Sequence, residues 1–426
     1  MLLLQDAQAA AQHADPIAAV LLFLAIILVG AKLGGDLATR LGQPAVLGEL
    51  VVGILLGNLP LLGVSVFEPI RHDTTIDMLS RLGVILLLFE VGLESTVAQM
   101  LRVGWSSLLV ALIGVVFPFA LGWAVGAWLL PHESAYVHAF LGATLTATSV
   151  GITARVLQDL KKSQTGESRI ILGAAVIDDV LGLLILAVVA GIIAAADRGG
   201  TMSYGDISLI LVKAVLFLVG SLALGRVVSR RLFGLASRLN VRGVLLAIGL
   251  SFCFLLSFLA SAVGLAPIVG AFSAGLILED VHYKELSDKE EHTLEELVHP
   301  ISSFLVPVFF VLMGMRTDLA SFLQPGVAGL ALAITVVAIL GKQFAGLGVI
   351  TKGIDRVTVG LGMIPRGEVG LIFANIGLTL VVAGERIVND ATFSAVVVMV
   401  VCTTLVTPPA LRWRFGLLAR RSGQPQ

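Results

Sequence analysis

Runs of about 20 mainly apolar residues follow one another along almost the whole chain, and they restrict its fold more than any other feature. A run of this length crosses a bilayer as an α-helix, because a helix satisfies every backbone polar group within its own segment. Charged residues make up only 13% of the 426 residues, too few to cover the surface of a soluble globule of this size. The sequence therefore predicts an all-α polytopic membrane protein.

The number and orientation of the helices follow from hydropathy and charge. With the N-terminus outside, the inner segments hold 18 Lys and Arg and the outer segments hold 4, in line with the more basic character of cytoplasmic loops. The C-terminus is then cytoplasmic, and we expect a multi-pass protein. No basic residue precedes the first run, so we expect that run to remain in the mature protein. We expect thirteen helices near residues 16–38, 43–62, 76–94, 103–130, 137–159, 168–196, 205–225, 242–262, 264–281, 297–315, 325–350, 355–382 and 390–411.

Thirteen helices divide into six, one and six, so that the two sets of six enter the membrane in opposite orientations, as in an inverted repeat. In transporters built this way, interrupted helices in corresponding positions of the two halves mark the binding site. The fifth predicted helix of the second half contains Pro365, which kinks a helix. The fifth of the first half has a hydroxyl cluster and Gly151, which favours a break at 148–151. The alternative is a continuous helix, in which these hydroxyls bond to their own carbonyls.

Asp178 and Asp179 stand together within a long apolar run, where each carboxylate costs about 2.5 to 3.5 kcal/mol and marks a functional position. Lys342 lies deep in the eleventh predicted helix. Neighbours on a helix point about 100° apart, so one aspartate is free to bind Lys342 while the other faces a cavity. The same geometry argues against an intramembrane aspartyl protease, whose two carboxylates meet from separate helices.

Four stretches, in this order, together identify a family. Residues 147–157, 173–182, 341–342 and 365–370 resemble the monovalent cation:proton antiporter-2 family, and within it the NapA-type sodium/proton antiporters. Segments 43–49 and 89–94 are also similar, so the resemblance covers most of the chain.

The resemblance implies a protein of the bacterial inner membrane, with two moving domains in a homodimer and with crossed broken helices. The dimerisation domain is expected at 1–102 and 242–316, the core ion-transport domain at 103–196 and 325–412, a linker helix at 205–226 and a short cytoplasmic tail at 413–426. It also implies that Asp179 carries the ion and the proton and that Asp178 pairs with Lys342. Because this chain has an aspartate at 178, the resemblance favours electrogenic exchange of two protons for one sodium ion.

The residues themselves suggest how such exchange works. Burial disfavours a bare carboxylate, so a proton and a desolvated sodium ion compete for Asp179. Hydroxyls of Thr148 and Ser149 are expected to complete a hard oxygen shell around Na⁺. Lys342 either releases a proton when Na⁺ binds or forms a structural salt bridge, and the sequence leaves both open.

Three charged residues near the predicted breaks each allow more than one interpretation. Glu368 and Arg155 either pair across the two broken helices, or Arg155 reaches the lipid headgroups. Arg366 either neutralises helix C-termini or also extends to the headgroups.

The expected partners are a monovalent cation, a proton and the lipid bilayer, with no cofactor, no nucleic acid and no nucleotide-binding domain. The protein is expected to be a transporter and not an enzyme. Potassium/proton exchange on the same fold is the main alternative, because the ligands do not fix the size of the ion. A passive cation channel and a membrane sensor are the alternatives from other classes.

Overall fold

The computed structural model describes residues 16–64, 66–94, 104–162, 164–197, 204–236, 241, 243–278, 292–323, 326–382 and 384–422. Over these residues the fold is helical, with one antiparallel pair of short strands, β1 (Val381–Val382) and β2 (Glu385–Arg386). The helices are α1 (Pro16–Arg40), α2 (Ala45–Asn58), α3 (Glu68–His72), α4 (Thr74–Glu94), α5 (Trp105–Leu129), α6 (Ala135–Thr144), α7 (Val150–Asp159), α8 (Gly166–Asp197), α9 (Tyr204–Ala236), α10 (Val244–Ala262), α11 (Pro267–Ile277), α12 (Leu294–Met315), α13 (Val327–Gln343), α14 (Arg356–Gly362), α15 (Glu368–Thr379) and α16 (Asp390–Ser422). Short 3₁₀ segments follow α2, α12 and α13.

Within the described residues, nine helices are long and apolar enough to cross a membrane, which makes the chain a polytopic helical membrane protein. They include α1, α5, α8, α10 and α16. The remaining four predicted positions are occupied by the more charged α4, the short α11 and two helix pairs, α6 with α7 and α14 with α15. The total of thirteen spans, the inverted repeat and the orientation of the termini stay predictions.

Two helices extend well beyond their predicted ends. The ninth helix, α9, continues to Ala236, and α16 continues to Ser422 through Pro408 and Pro409. The predictions followed the fall in hydropathy, whereas a helix ends only where its backbone bonding ends. Most of the predicted cytoplasmic tail is therefore helical.

The chain forms two compact units, and the first comprises Met1–Gly83 and Ser303–Arg316. Glycines allow its helices to touch backbone to backbone. A Cβ atom on Gly48 of α2 would lie 2.0 Å from the carbonyl oxygen of Gly34 of α1. A Cβ atom on Gly53 would lie 2.2 Å from the carbonyl oxygen of Val311 in α12. Larger residues at these positions would force the helices apart.

The second unit comprises Val84–Ser302 and Thr317–Gln426 and contains every predicted site residue. In it α5 packs against α6, α8 and α13, and α13 packs against α16. Gly341 of α13 touches the backbone of Pro118 in α5, where a Cβ atom would lie 2.9 Å from the proline Cα. A buried apolar cluster joins α7, the first turns of α8, α14 and the end of α16, with members that include Leu157, Ile171, Val359, Met363 and Leu411. The predicted division into a dimerisation domain and a core domain stays a prediction.

Candidate ion-binding site

Two helices of the second unit are interrupted in the middle. The first break separates α6 from α7 at residues 145–149, and the second separates α14 from α15 at residues 363–367. The second break contains Pro365, whose ring nitrogen has no hydrogen to donate. We call residues 145–149 and 363–367 the crossing segments.

The first break lies slightly before the predicted position at 148–151. Gly151 is the second residue of α7 and takes no part in the gap. Side chains near the end of α6 bond locally, Thr144 Oγ1 to the carbonyl of Phe140 at 2.9 Å and Thr146 Oγ1 to that of Ala143 at 2.7 Å. The alternative of one continuous helix is wrong, because the structure ends α6 at Thr144 and begins α7 at Val150. Other hydroxyls of the cluster bond to a different segment of the chain.

The crossing segments hydrogen-bond to each other. The backbone N–H of Ser149 donates to the carbonyl oxygen of Pro365 at 2.9 Å. Thr148 Oγ1 donates to the carbonyl oxygen of Met363 at 3.1 Å. Next to the crossing segments, Thr153 Oγ1 of α7 donates to the carbonyl oxygen of Gly362 in α14 at 2.8 Å. Thr148 and Ser149 are both buried, with 1% of each exposed. These bonds satisfy part of the polar backbone that the breaks release, as lipid surroundings require.

Arg366 ties the two segments together through its side chain. It is fully buried, and its Nη1 and Nη2 donate to the carbonyl oxygens of Ala147 and Leu145 at 2.8 and 2.5 Å. These carbonyls follow the C-terminal end of α6, where the helix dipole places partial negative charge. The burial excludes the alternative in which Arg366 extends to lipid headgroups. The side chains of Arg155 and Glu368 lie outside the described part of the structure, so their suggested pairing stays a prediction.

Asp178 and Lys342 form an ion pair without any exposed surface. Lys342 Nζ of α13 lies 2.9 Å from both carboxylate oxygens of Asp178 in α8. Gly114 of α5 packs beside this lysine, since a Cβ atom there would lie 3.6 Å from Nζ, at ordinary contact distance. Asp179 is the next residue of α8 and is 5% exposed. The structure thus brings Asp178 and Lys342 into contact, and the transport roles of all three residues stay predictions.

Two threonines of α16 contact the second crossing segment and were missed by the sequence analysis. Thr404 Oγ1 donates to the carbonyl oxygen of Arg366 at 2.7 Å, and the backbone N–H of Arg366 lies 3.4 Å from Thr403 Oγ1. The available signal was a pair of hydroxyl residues in the apolar run 395–406. Sequence alone does not say which segment they face.

Asp355, in the loop before α14, connects three elements of the second unit. Its carboxylate accepts from Nε and Nη2 of Arg414 in α16 at 2.8 and 2.7 Å, and from the backbone N–H of Thr358 at 2.8 Å. Its own backbone N–H donates to Glu167 Oε1 of α8 at 3.1 Å. The bonded Arg414 guanidinium holds the pKa of Asp355 well below its usual range. The start of α14 is therefore fixed to both α8 and α16.

The arrangement offers hard oxygen ligands in a buried setting. Carboxylate, hydroxyl and carbonyl oxygens are the donors that alkali cations accept, whereas softer metals favour nitrogen and sulfur. Hydroxyls that donate to carbonyls, as Thr148 does, retain lone pairs for a cation.

Comparison with known proteins agrees with this chemistry. Residues 19–415 match the model of the family described as "Sodium/hydrogen exchanger, transmembrane". The chain is 40% identical to the high-affinity Na⁺/H⁺ antiporter NhaS3 of Synechocystis sp., over 93% of this chain and 90% of that protein. It is 36% identical to the Na⁺/H⁺-K⁺ antiporter GerN of Bacillus cereus, over 92% of this chain and 95% of that protein.

The fold is also similar to a solved structure. The sodium proton antiporter MjNhaP1 of Methanocaldococcus jannaschii superposes with a TM-score of 0.68 at 14% identity, over 95% of this chain and 98% of that one. This likeness concerns the fold alone. The relatives are named as antiporters, so at the level of the family the chain is a transporter and not an enzyme. On the family match over residues 19–415, the chain belongs to the sodium/hydrogen exchanger family.

Proposed function

We propose that this protein is a secondary active antiporter that exchanges cytoplasmic Na⁺ or Li⁺ for external H⁺ in a bacterial cell membrane. Membership of the sodium/hydrogen exchanger family supports the reaction class, and so do the names of NhaS3, a Na⁺/H⁺ antiporter, and GerN, a Na⁺/H⁺-K⁺ antiporter. The observation that carries the site assignment is the buried Asp178–Lys342 pair next to Asp179 on α8, in the same unit as two broken helices that cross.

In this proposal Asp179 is the carrier and binds either a proton or a cation. Thr148 and Ser149 of the first crossing segment contribute oxygen ligands, and Thr148 has lone pairs for a cation because its hydrogen goes to Met363. The two occupants exclude each other, so uptake of one requires release of the other. No cofactor takes part.

Lys342 supplies the second proton. When Na⁺ binds beside Asp178, the cation competes with the ammonium group for the carboxylate, and a desolvated lysine without its partner favours the neutral amine. Two protons then exchange for one sodium ion, and the net charge is driven by about 2.3 kcal/mol per 100 mV. Exchange in vesicles that neither generates nor responds to a membrane potential would reject this stoichiometry and leave Lys342 as a structural partner.

The carrier site alternates between the two sides of the membrane as the core domain, 103–196 and 325–412, moves like an elevator against a dimerisation domain in a homodimer. The glycine-mediated contacts of α1 with α2 and of α2 with α12 suit a rigid scaffold for such movement.

The test is proton-gradient dissipation in vesicles that contain the purified protein, after addition of Na⁺, Li⁺ or K⁺. We expect wild type to respond to Na⁺ and Li⁺ and Asp179→Asn to give no response. Asp197→Asn is the matched control, because Asp197 is an exposed aspartate at the end of the same helix. Exchange at the wild-type rate in Asp179→Asn would refute the assignment.

Potassium/proton exchange is the second candidate. The relative GerN is named as a Na⁺/H⁺-K⁺ antiporter, and it covers nearly the whole chain. A response to K⁺ equal to or larger than that to Na⁺ in the same vesicles would favour this alternative. A flux that needs no counter-ion gradient would instead indicate a channel.

A further inference from the structure

The main chain of Arg366 is held by α16, a helix to which the proposed transport site assigns no role. Thr404 Oγ1 donates to the Arg366 carbonyl oxygen at 2.7 Å, and the Arg366 N–H lies 3.4 Å from Thr403 Oγ1. Arg366 and Thr403 have no exposed surface, and Thr404 is 2% exposed. The second crossing segment is therefore fixed from α16 as well as from the first crossing segment.

Thr404 differs from its neighbours in the target of its hydrogen bond. Hydroxyls in apolar helices commonly bond to a carbonyl about one turn earlier in their own helix. Thr403 does so with Met399 at 2.9 Å, and Thr407 does so with Thr403 at 2.9 Å. Thr404 instead donates to a carbonyl of another segment. A hydroxyl that only needed a partner could have bonded within its own helix.

The geometry that Thr404 fixes extends to the proposed cation ligands. The guanidinium of Arg366 holds the carbonyls of Leu145 and Ala147. Those carbonyls lie in the first crossing segment, which also carries Thr148 and Ser149. A rotation of the Arg366 peptide would shift the guanidinium and with it the oxygens around the cation. Selection between cations depends on the number and placement of such oxygens.

We propose that Thr404 is a positioning residue for cation binding and selectivity, and that it acts through the peptide and side chain of Arg366. The proposal rests on the proposed antiporter function. The proposal assigns the effect on cation binding to the Thr404 hydroxyl alone. Thr407 is a suitable comparison, because it is equally buried in the same helix and its hydroxyl bonds within that helix.

The experiment compares wild type with Thr404→Val, Thr404→Ser and Thr407→Val, each as the full chain in vesicles. Valine keeps the shape of threonine and removes the hydroxyl, serine restores the hydroxyl, and Thr407→Val removes a hydroxyl that stays within its own helix. The readouts are KM and kcat for Na⁺ and the ratio of responses to Na⁺, Li⁺ and K⁺.

We expect Thr404→Val to raise the KM for Na⁺ about five- to tenfold, the effect of one lost buried hydrogen bond, with kcat little changed. Its preference for Na⁺ over K⁺ should fall as well. Thr404→Ser and Thr407→Val should behave like wild type. Equal KM values in the two valine variants would overturn the proposal, as would a loss of kcat at unchanged KM.

Two further outcomes are separable from these. If Thr404→Val fails to fold and Thr404→Ser does not recover the wild-type KM, the role of Thr404 is structural and the proposal is wrong. If wild type shows no exchange at all, the proposed function is wrong. The Na⁺ concentration that stabilises each purified protein against heat then tests Thr404 separately, and equal midpoints for Thr404→Val and Thr407→Val would overturn its role.

Discussion

Replacing Lys342 with methionine removes a charge from the buried ion pair and leaves its partner behind. Methionine is similar in length to lysine and apolar, so Lys342→Met keeps most of the packing beside Gly114. Asp178 then loses the ammonium group that lies 2.9 Å from both of its oxygens, in a place with no exposed surface. An unpaired buried charge of this kind costs about 3 to 5 kcal/mol.

The pair also predicts how the two single changes combine. Asp178→Asn leaves an unpaired ammonium group and should cost a similar amount. The double variant Asp178→Asn/Lys342→Met contains neither charge, and replacing both members of a buried pair is often close to neutral. Its loss of unfolding free energy should therefore be smaller than the sum of the single losses by about 2 kcal/mol or more.

The assay is equilibrium unfolding of the purified protein in mixed micelles, by titration with a denaturing detergent. Lys213→Met is the control for loss of a lysine, because Lys213 is exposed on α9. The free energy of unfolding of Lys213→Met should differ from that of wild type by no more than about 0.5 kcal/mol. Single losses that add within about 0.5 kcal/mol in the double variant would refute the reasoning, since they would mean that the two groups do not depend on each other.

Three other predictions concern single positions. Gly48→Ala should lower the free energy of unfolding by about 3 kcal/mol or more, because the new methyl group meets a carbonyl oxygen at 2.0 Å, whereas Gly329→Ala has open space and should change little; equal losses would contradict the packing. Lys161 has a backbone φ of 55°, a left-handed conformation that glycine adopts more easily, so Lys161→Gly should raise the free energy of unfolding by about 1 kcal/mol; a decrease would contradict the backbone strain. The pKa of Asp355 is depressed by Arg414, so its stabilisation is complete above the unfolded pKa of about 3.9 and is lost as pH falls below it. The loss of unfolding free energy caused by Arg414→Gln should thus be equal at pH 8 and pH 5. A steep change between these two values would contradict the pairing of Asp355 with Arg414.

Both broken helices could be predicted from the sequence because a helix break depends partly on local chemistry. Pro365 cannot donate a backbone bond, and the structure breaks the helix around it. The first break at 145–149 contains no proline, and two of its carbonyls accept bonds from Arg366, more than 200 residues later in the chain. The local pattern therefore indicated a weak helix near Gly151 but did not fix the residue at which the helix ends.

Contacts between distant segments were harder to predict. Helical geometry showed that one of two adjacent aspartates was free to meet Lys342, and only the family resemblance selected Asp178. Thr404 and the Asp355–Arg414 pair were not identified at all, because a hydroxyl or a charge in one helix does not specify its partner in another. Arg366 was ambiguous in sequence for the same reason, since its burial depends on carbonyls that only the folded chain places around it.

The complete burial of Lys342 has a consequence for chemical labelling. Amine-reactive reagents attack only an uncharged amine that they can reach, and Nζ of Lys342 is held by Asp178 without exposed surface. Acylation at this position can proceed only while the pair is separated and water has entered. Its rate, followed by mass spectrometry of the peptide that contains Lys342, would therefore measure how often the interior opens, without any transported ion as a reporter.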